Sequence, residues 1–318
     1  MNYLVTGANG FVGKLLCVEL LKRGQTVRAA LRSPHQVPGG VESVTIGTID
    51  GNTDWTETLR GVDVVIHLAA RVHVMKDTAA DPLAEFLKVN LHGTENLAEQ
   101  AVKAGVKRLI YVSSIKVNGE QTQGQHSYTE QDIPTPQDPY GISKWEAEQS
   151  LQRIMQRTGL EVVIVRPPLV YGQGVKGNFI NLLAAINKGI PLPLAAANNK
   201  RSLIYVGNLV DVLITCATHP SAAGQTYLVR DGEDISTAAL VEKIVVALGC
   251  KSRSFYFPPN MLRLVAAVLG RSNQVARLLG SLRVSDTKIR SELGWTSSYT
   301  LEQGLQATVD WYRTERSI

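Results

Sequence analysis

Thr6-Gly7-Ala8-Asn9-Gly10-Phe11-Val12-Gly13 ends a short apolar run, Asn2 to Thr6, and opens the segment Phe11 to Arg23, where Val12, Leu15, Leu16 and Leu20 recur at helical spacing. A strand meeting a helix across three glycines sets backbone N–H groups beside the positive helix end, where a nucleotide pyrophosphate is bound. Gly7 permits the tight turn, Gly10 a close backbone approach, and Gly13 close packing of helix on strand. No Gly-Lys-Ser or Gly-Lys-Thr accompanies the turn, so nothing there would hold a terminal phosphate and its metal, and phosphoryl transfer is disfavoured.

Outward from this turn, two periods alternate. Gly24 stops the first helix, and strands are predicted over Thr26 to Leu31, Val44 to Ile49 and Val62 to Leu68. A long helix is expected over Pro82 to Ala104, with Asp81 as N-cap, then a strand over Lys107 to Ser113. A helix over Asp138 to Thr158 and a strand over Glu161 to Val165 complete the rhythm. Repeated βαβ units with right-handed crossovers give an α/β fold, a doubly wound parallel sheet. After Arg166 the pattern changes to prolines and glycines. Asn208 to Thr218 reads as a helix and Gln225 to Val229 as a returning strand; helical segments follow over Thr237 to Leu248, Pro259 to Leu282, Ser285 to Leu293 and Leu301 to Tyr312. The expected division is a nucleotide-binding unit at 1–172 and 207–229, and a smaller, mostly helical substrate-binding unit at 173–206 and 230–318.

Composition narrows the class. The 318 residues are 44% apolar and 19% charged, which excludes disorder and coiled coil. A net charge of +5, scattered, is too mild for a nucleic-acid footprint but suits anionic ligands. No apolar stretch approaches a membrane span, and with strand-like residues beginning at Tyr3 no signal peptide is expected. Cys17, Cys216 and Cys250 are odd in number and lack a CxxC, so a reducing, cytoplasmic setting is expected. Pro259 to Leu282 carries Arg263, Arg271 and Arg277 beside apolar residues; it is read as a helix pair covering the small unit rather than as a membrane-surface segment.

Tyr140 and Lys144 are four residues apart on a predicted helix, so they share a face. A phenol titrates near 10, and a neighbouring ammonium is expected to lower that value and make Tyr140 a usable proton carrier. Arg32 ends the second strand, where an acid would bind a ribose 2′-hydroxyl; it is placed either to pair with a 2′-phosphate or to stack on adenine or face solvent. Asp50 is placed either to reach the adenine or to cap a turn.

The GxxGxxG turn and Tyr140-Gly141-Ile142-Ser143-Lys144 resemble the extended short-chain dehydrogenase/reductase family of nucleotide-sugar epimerases and dehydratases. His67-Leu68-Ala69-Ala70, Asn90, Ser113-Ser114, Arg166-Pro167 and the closing Leu293-Gly294-Trp295 extend the resemblance over the whole chain. It implies a Rossmann-type domain with Ser114, Tyr140 and Lys144 as catalytic residues. It also implies NADP or NAD, NADP favoured by Arg32, against Gly7, Gly10, Phe11, Val12, Gly13, Arg32, Asp50, Leu68, Ala69, Ala70, Asn90, Ser113, Tyr140, Lys144 and Pro167. Asn178 in Lys176-Gly177-Asn178-Phe179, together with Arg201 and Arg283, falls where relatives bind a UDP-sugar, although Arg201 also suits a structural ion pair. His67 and His73 are expected to pack beside the cofactor rather than to catalyse. Ile115 and Lys116 stand where dehydratases carry an Asp-Glu pair, which counts against 4,6-dehydration. The stretch Arg71 to Lys76, with SSIKVNG and VKGNF, is similar to reductases of 4-keto-6-deoxy UDP-sugars in surface-polysaccharide pathways. The resemblance therefore implies hydride transfer at C4 of a UDP-hexose, by such a reductase or by a UDP-sugar 4-epimerase that retains NAD, and a homodimer as in many relatives. A non-catalytic NADPH sensor of the same fold would usually have lost the Tyr-xxx-Lys pair.

Overall fold

The computed structural model of the chain describes residues 1–72, 80–270 and 272–316. β1 (Asn2–Thr6) runs through the glycine turn into α1 (Phe11–Lys22), followed by β2 (Thr26–Leu31), β3 (Glu42–Thr45), α2 (Thr56–Leu59) and β4 (Val64–His67). α3 (Pro82–Leu87), α4 (Gly93–Lys103), β5 (Arg108–Val112), α5 (Pro139–Thr158) and β6 (Glu161–Arg166) come next. The chain continues through β7 (Leu169–Tyr171), α6 (Asn178–Asn187), β8 (Arg201–Tyr205), α7 (Val206–Thr218), β9 (Thr226–Leu228) and β10 (Asp234–Ile235). It closes with α8 (Thr237–Leu248), α9 (Pro259–Val268), α10 (Ser272–Leu279), α11 (Thr287–Leu293) and α12 (Leu301–Arg316).

Seven parallel strands form the main sheet in the order β3-β2-β1-β4-β5-β6-β9. The order turns outward in both directions from β1 and β4, so the crevice at their carboxyl ends is the switch point where such sheets bind ligands. Neighbouring residues of β1 serve opposite faces. Val5 packs with Leu16, Leu20, Leu209 and Leu213 of α1 and α7, while Leu4 packs with Leu97 and Leu151 of α4 and α5. A second core joins Phe179, Leu183, Leu203, Ile244 and Leu305, beside a small sheet ordered β10-β8-β7.

Two expectations are corrected. The helix expected over Pro82 to Ala104 is interrupted by a π-helical turn at Lys88–His92, and Asn90 inside it is buried. Such a turn holds an extra residue that 3.6-residue periodicity cannot register. The third strand stops at Thr45 rather than Ile49, just before Gly47 takes a left-handed φ of 71°. The segment Pro259 to Leu282 is a helix pair as expected, its two helices separated where Gly270 turns at φ 65°. The strands β7, β8 and β10 were not foreseen; each has five residues or fewer.

Candidate active site

The glycine turn is closed by backbone packing. Gly7 has φ 68°, and a Cβ there would lie 2.9 Å from the Ala69 nitrogen; one on Gly13 would lie 2.3 Å from the Gly7 carbonyl oxygen. Gly10 is the N-cap of α1 and offers no side chain to its first N–H groups. Thr6 clamps the turn to β4: its Oγ1 accepts from Ala69 N at 3.1 Å and lies 2.6 Å from His67 Nδ1. Burial, with Lys144 nearby, pushes His67 down to about 3, so the ring is neutral. The neutral ring is hydrogen-bonded through Nδ1 to Thr6 Oγ1 and through Nε2 to Thr94 Oγ1 at 3.0 Å, one ring nitrogen donating and the other accepting. His67 thus ties β1, β4 and α4 together. Leu68, Ala69 and Ala70 are half-buried just beyond it. His73 lies outside the described residues, as do residues 74–76 of the Arg71 to Lys76 stretch.

Asp138 and Pro139 start α5. Asp138 Oδ1 accepts from Gly141 N at 2.7 Å, and its carboxylate also meets the Lys116 ammonium, which lies 3.2 Å from Glu120 as well. Tyr140, Lys144 and Glu148 follow at spacings of four along the helix. Lys144 is buried, donates to the Val112 carbonyl at 2.8 Å, and sits 4.4 Å from the centre of the Tyr111 ring. Burial lowers it to about 7, with Glu148 pulling upward. Tyr140 is hydrogen-bonded by Ser114, whose Oγ also accepts from Lys116 N at 3.3 Å.

The expected lowering of the phenol is not met. Burial and the nearby Asp138 carboxylate raise Tyr140 above the ordinary tyrosine value, and only the Ser114 bond opposes them. The Lys144 ammonium is directed at the Val112 carbonyl, so here the phenol is held protonated. Ser113 is buried, and its hydroxyl has no partner among the described residues.

Other expected site residues divide. Arg32 is exposed at the end of β2 without a protein partner among the described residues, while Arg28 is tied to the Thr58 and Arg60 carbonyls. Asp50 caps a turn, accepting from Asn52 N at 2.9 Å. Pro167 is buried, and its carbonyl receives Ile115 N at 3.0 Å. Asn178 is exposed at the start of α6. Three further residues are held by protein partners. Asn90, expected on the cofactor, gives both amide hydrogens to Arg71 O and Ser143 Oγ and so latches the loop after β4 to α5. Arg201 donates through Nη1 to the Arg277 and Gly280 carbonyls at 2.8 and 3.1 Å. Arg283 is paired with Asp234 at 2.8 Å and with the Gln125 carbonyl.

Sequence reasoning missed the buried pair beneath the site. Arg166 Nε lies 3.0 and 3.2 Å from the two Glu148 oxygens, and its Nη1 donates to Asn118 Oδ1 at 3.0 Å. The available signal was Glu148, an acid on the same helical face as Tyr140 and Lys144.

A family model for the NAD dependent epimerase/dehydratase family matches residues 3–229. The chain is 43% identical over 309 residues to a UDP-glucose 4-epimerase of Vibrio cholerae, covering 96% of this chain and 94% of that protein. It is 29% identical over 324 residues to the N-acetyl-alpha-D-glucosaminyl-diphospho-ditrans,octacis-undecaprenol 4-epimerase of Escherichia coli, covering 98% and 95%. Among solved structures, a Thermotoga maritima UDP-glucose 4-epimerase with UDP-glucose matches with a TM-score of 0.81 at 24% identity, over 99% and 100% of the two chains. MoeE5 in complex with UDP-glucose and NAD matches at 0.79 and 26% identity, over 99% and 100%. With its glycine turn, parallel seven-stranded sheet and Tyr140–Lys144 helix, the chain belongs to the NAD-dependent epimerase/dehydratase family, enzymes of the extended short-chain dehydrogenase/reductase fold.

Proposed function

We propose that the chain transfers hydride at C4 of a UDP-hexose, working as a reductase of a UDP-4-keto-6-deoxy-hexosamine in surface-polysaccharide synthesis. The observation that carries the reductase reading is Arg32, an exposed guanidinium without a protein partner among the described residues, where an acid would select NAD. Its planar fork suits a ribose 2′-phosphate, and NADPH is the reducing pool.

The residues present fit a nicotinamide dinucleotide. The uncapped N-terminus of α1 and the close-packed Gly7, Gly10 and Gly13 suit a pyrophosphate, with Phe11 and Val12 beginning the helix. Leu68, Ala69, Ala70 and Pro167 border the strand ends, and the unpartnered Ser113 hydroxyl awaits a polar ligand group. When bound, the dinucleotide supplies the hydride. Tyr140 gives its proton to O4 of the ketone as it is reduced, and its raised pKa keeps that proton in place at neutral pH. Ser114 orients the phenol and the ketone oxygen. Lys144, whose burial lowers it toward neutrality, holds the ribose. Ile115 is buried and Lys116 is paired with Asp138 and Glu120, so neither provides the carboxylate that dehydration needs. Asn178, at the exposed start of α6, is the substrate-side residue best placed for an anionic diphosphate.

A second reading, a UDP-sugar 4-epimerase, is supported by the two relatives, both named 4-epimerases. Cofactor titration tests the carrying observation. NADPH should bind more tightly than NADH, and Arg32→Ala should weaken NADPH by roughly tenfold to a hundredfold with NADH unchanged. Equal wild-type dissociation constants would remove the support that Arg32 gives.

A further inference from the structure

α9 is apolar on two sides. Leu262 packs against the second core and Ala266 is buried, which seats the helix on the protein. On the other side Met261, Leu264, Val265 and Val268, at helical spacings of three, one and three, are 44–82% exposed, and Leu269 continues the stripe. Phe255 and Tyr256, just ahead of the helix, are exposed as well. An outward stripe of this size, continuous with two aromatic rings, is the kind of patch that marks an interaction surface.

Charge identifies the partner. From Lys243 to Ser285 the sequence contains seven Lys or Arg and no Asp or Glu, and of these Lys243, Arg277 and Arg283 pair with Glu302, Glu120 and Asp234 from outside the segment. Lys251, Arg253 and Arg263 flank the stripe, are exposed, and form no ion pair among the described residues. Arg263 donates to Asn260 at 3.0 Å, and the nearest preceding acid, Glu242, accepts from Ser252. An apolar face rimmed by free cations, with aromatic residues at its edge, matches a helix lying in the plane of an anionic bilayer surface. A second copy fits less well, because a two-fold contact would set this cationic rim against itself. Among the described residues no helix is long and apolar enough to cross a membrane, so attachment through this face is peripheral.

We propose that the outer stripe of α9, with Phe255, Tyr256, Lys251, Arg253 and Arg263, docks the protein on an anionic lipid surface. The proposal is independent of which sugar is the substrate. Vesicle flotation tests it with the full-length protein and vesicles of phosphatidylcholine alone or mixed with phosphatidylglycerol. Wild type should float with the mixed vesicles and stay behind with the neutral ones. Lys251→Gln, Arg253→Gln and Arg263→Gln combined should lower the partition coefficient by on the order of a hundredfold, since each basic residue near such a surface contributes several-fold. Leu264→Glu with Val268→Glu should abolish flotation while leaving the thermal midpoint and soluble-substrate turnover unchanged. Failure of wild type to float with anionic vesicles would overturn the proposal, as would equal partition into both vesicle types or flotation of both variants like wild type. A lipid-free dimer that Leu264→Glu with Val268→Glu dissociates would assign the face to a second copy instead.

Discussion

Replacing Arg166 with Met leaves Glu148, fully excluded from solvent, without the guanidinium that meets both of its oxygens. Removing one member of a buried ion pair typically costs about 3–5 kcal/mol, because the remaining charge stays desolvated. Asn118 loses a donor to its Oδ1 as well, at about 1 kcal/mol. In a chain of this size the thermal midpoint moves by roughly 2 °C per kcal/mol, so Arg166→Met, losing about 4–6 kcal/mol in all, should fall by about 8–12 °C. Removing both charges together, in Glu148→Leu with Arg166→Met, takes away the unpaired carboxylate and should recover most of that loss. Melting followed by circular dichroism, with guanidinium titration to confirm an unchanged slope, measures the cycle. A single variant within about 1 kcal/mol of wild type, or a double variant no better than Arg166→Met, would refute the reasoning.

Tyr140→Phe should lower turnover by roughly a hundredfold or more while the dissociation constants for cofactor and sugar nucleotide stay near wild type, measured by steady-state kinetics and titration. Lys144 provides a pH test: its folded value is about 7 against an ordinary 10.5, so between those limits the unfolded chain binds a proton that the folded chain has released. Stability contributed at this position therefore rises with pH across that window, and wild type should gain on Lys144→Met in thermal midpoint from pH 7 to pH 10; a flat difference would contradict the burial argument.

The parts written locally in the chain were legible. Three glycines at fixed spacing between a strand and a helix, and a tyrosine four residues before a lysine, need only short-range geometry to be understood. What escaped depends on contacts between distant segments. The extra residue of the π-turn is explained only by Asn90 reaching the Arg71 backbone and Ser143, which lies 53 positions away. Arg201 and Arg283 carry the charge an anionic ligand wants, yet nothing in their own neighbourhoods announces the Gly280 carbonyl or Asp234 as partners. The sign of the Tyr140 shift was misjudged for a related reason. Proximity to Lys144 is encoded by helical spacing, whereas burial of the phenol and the direction of the ammonium toward Val112 are set by tertiary packing.

Whether nicotinamide is consumed during turnover tests the central proposal most directly. Purified protein is incubated with NADPH and a UDP-4-keto-6-deoxy-hexosamine, and separately with UDP-glucose and UDP-galactose, following nicotinamide absorbance and product NMR together. A reductase built around Arg32 and a protonated Tyr140 should oxidise NADPH in proportion to product formed and leave UDP-glucose and UDP-galactose essentially unconverted. Catalytic inversion at C4 with no net oxidation of cofactor would contradict the reductase and establish the epimerase.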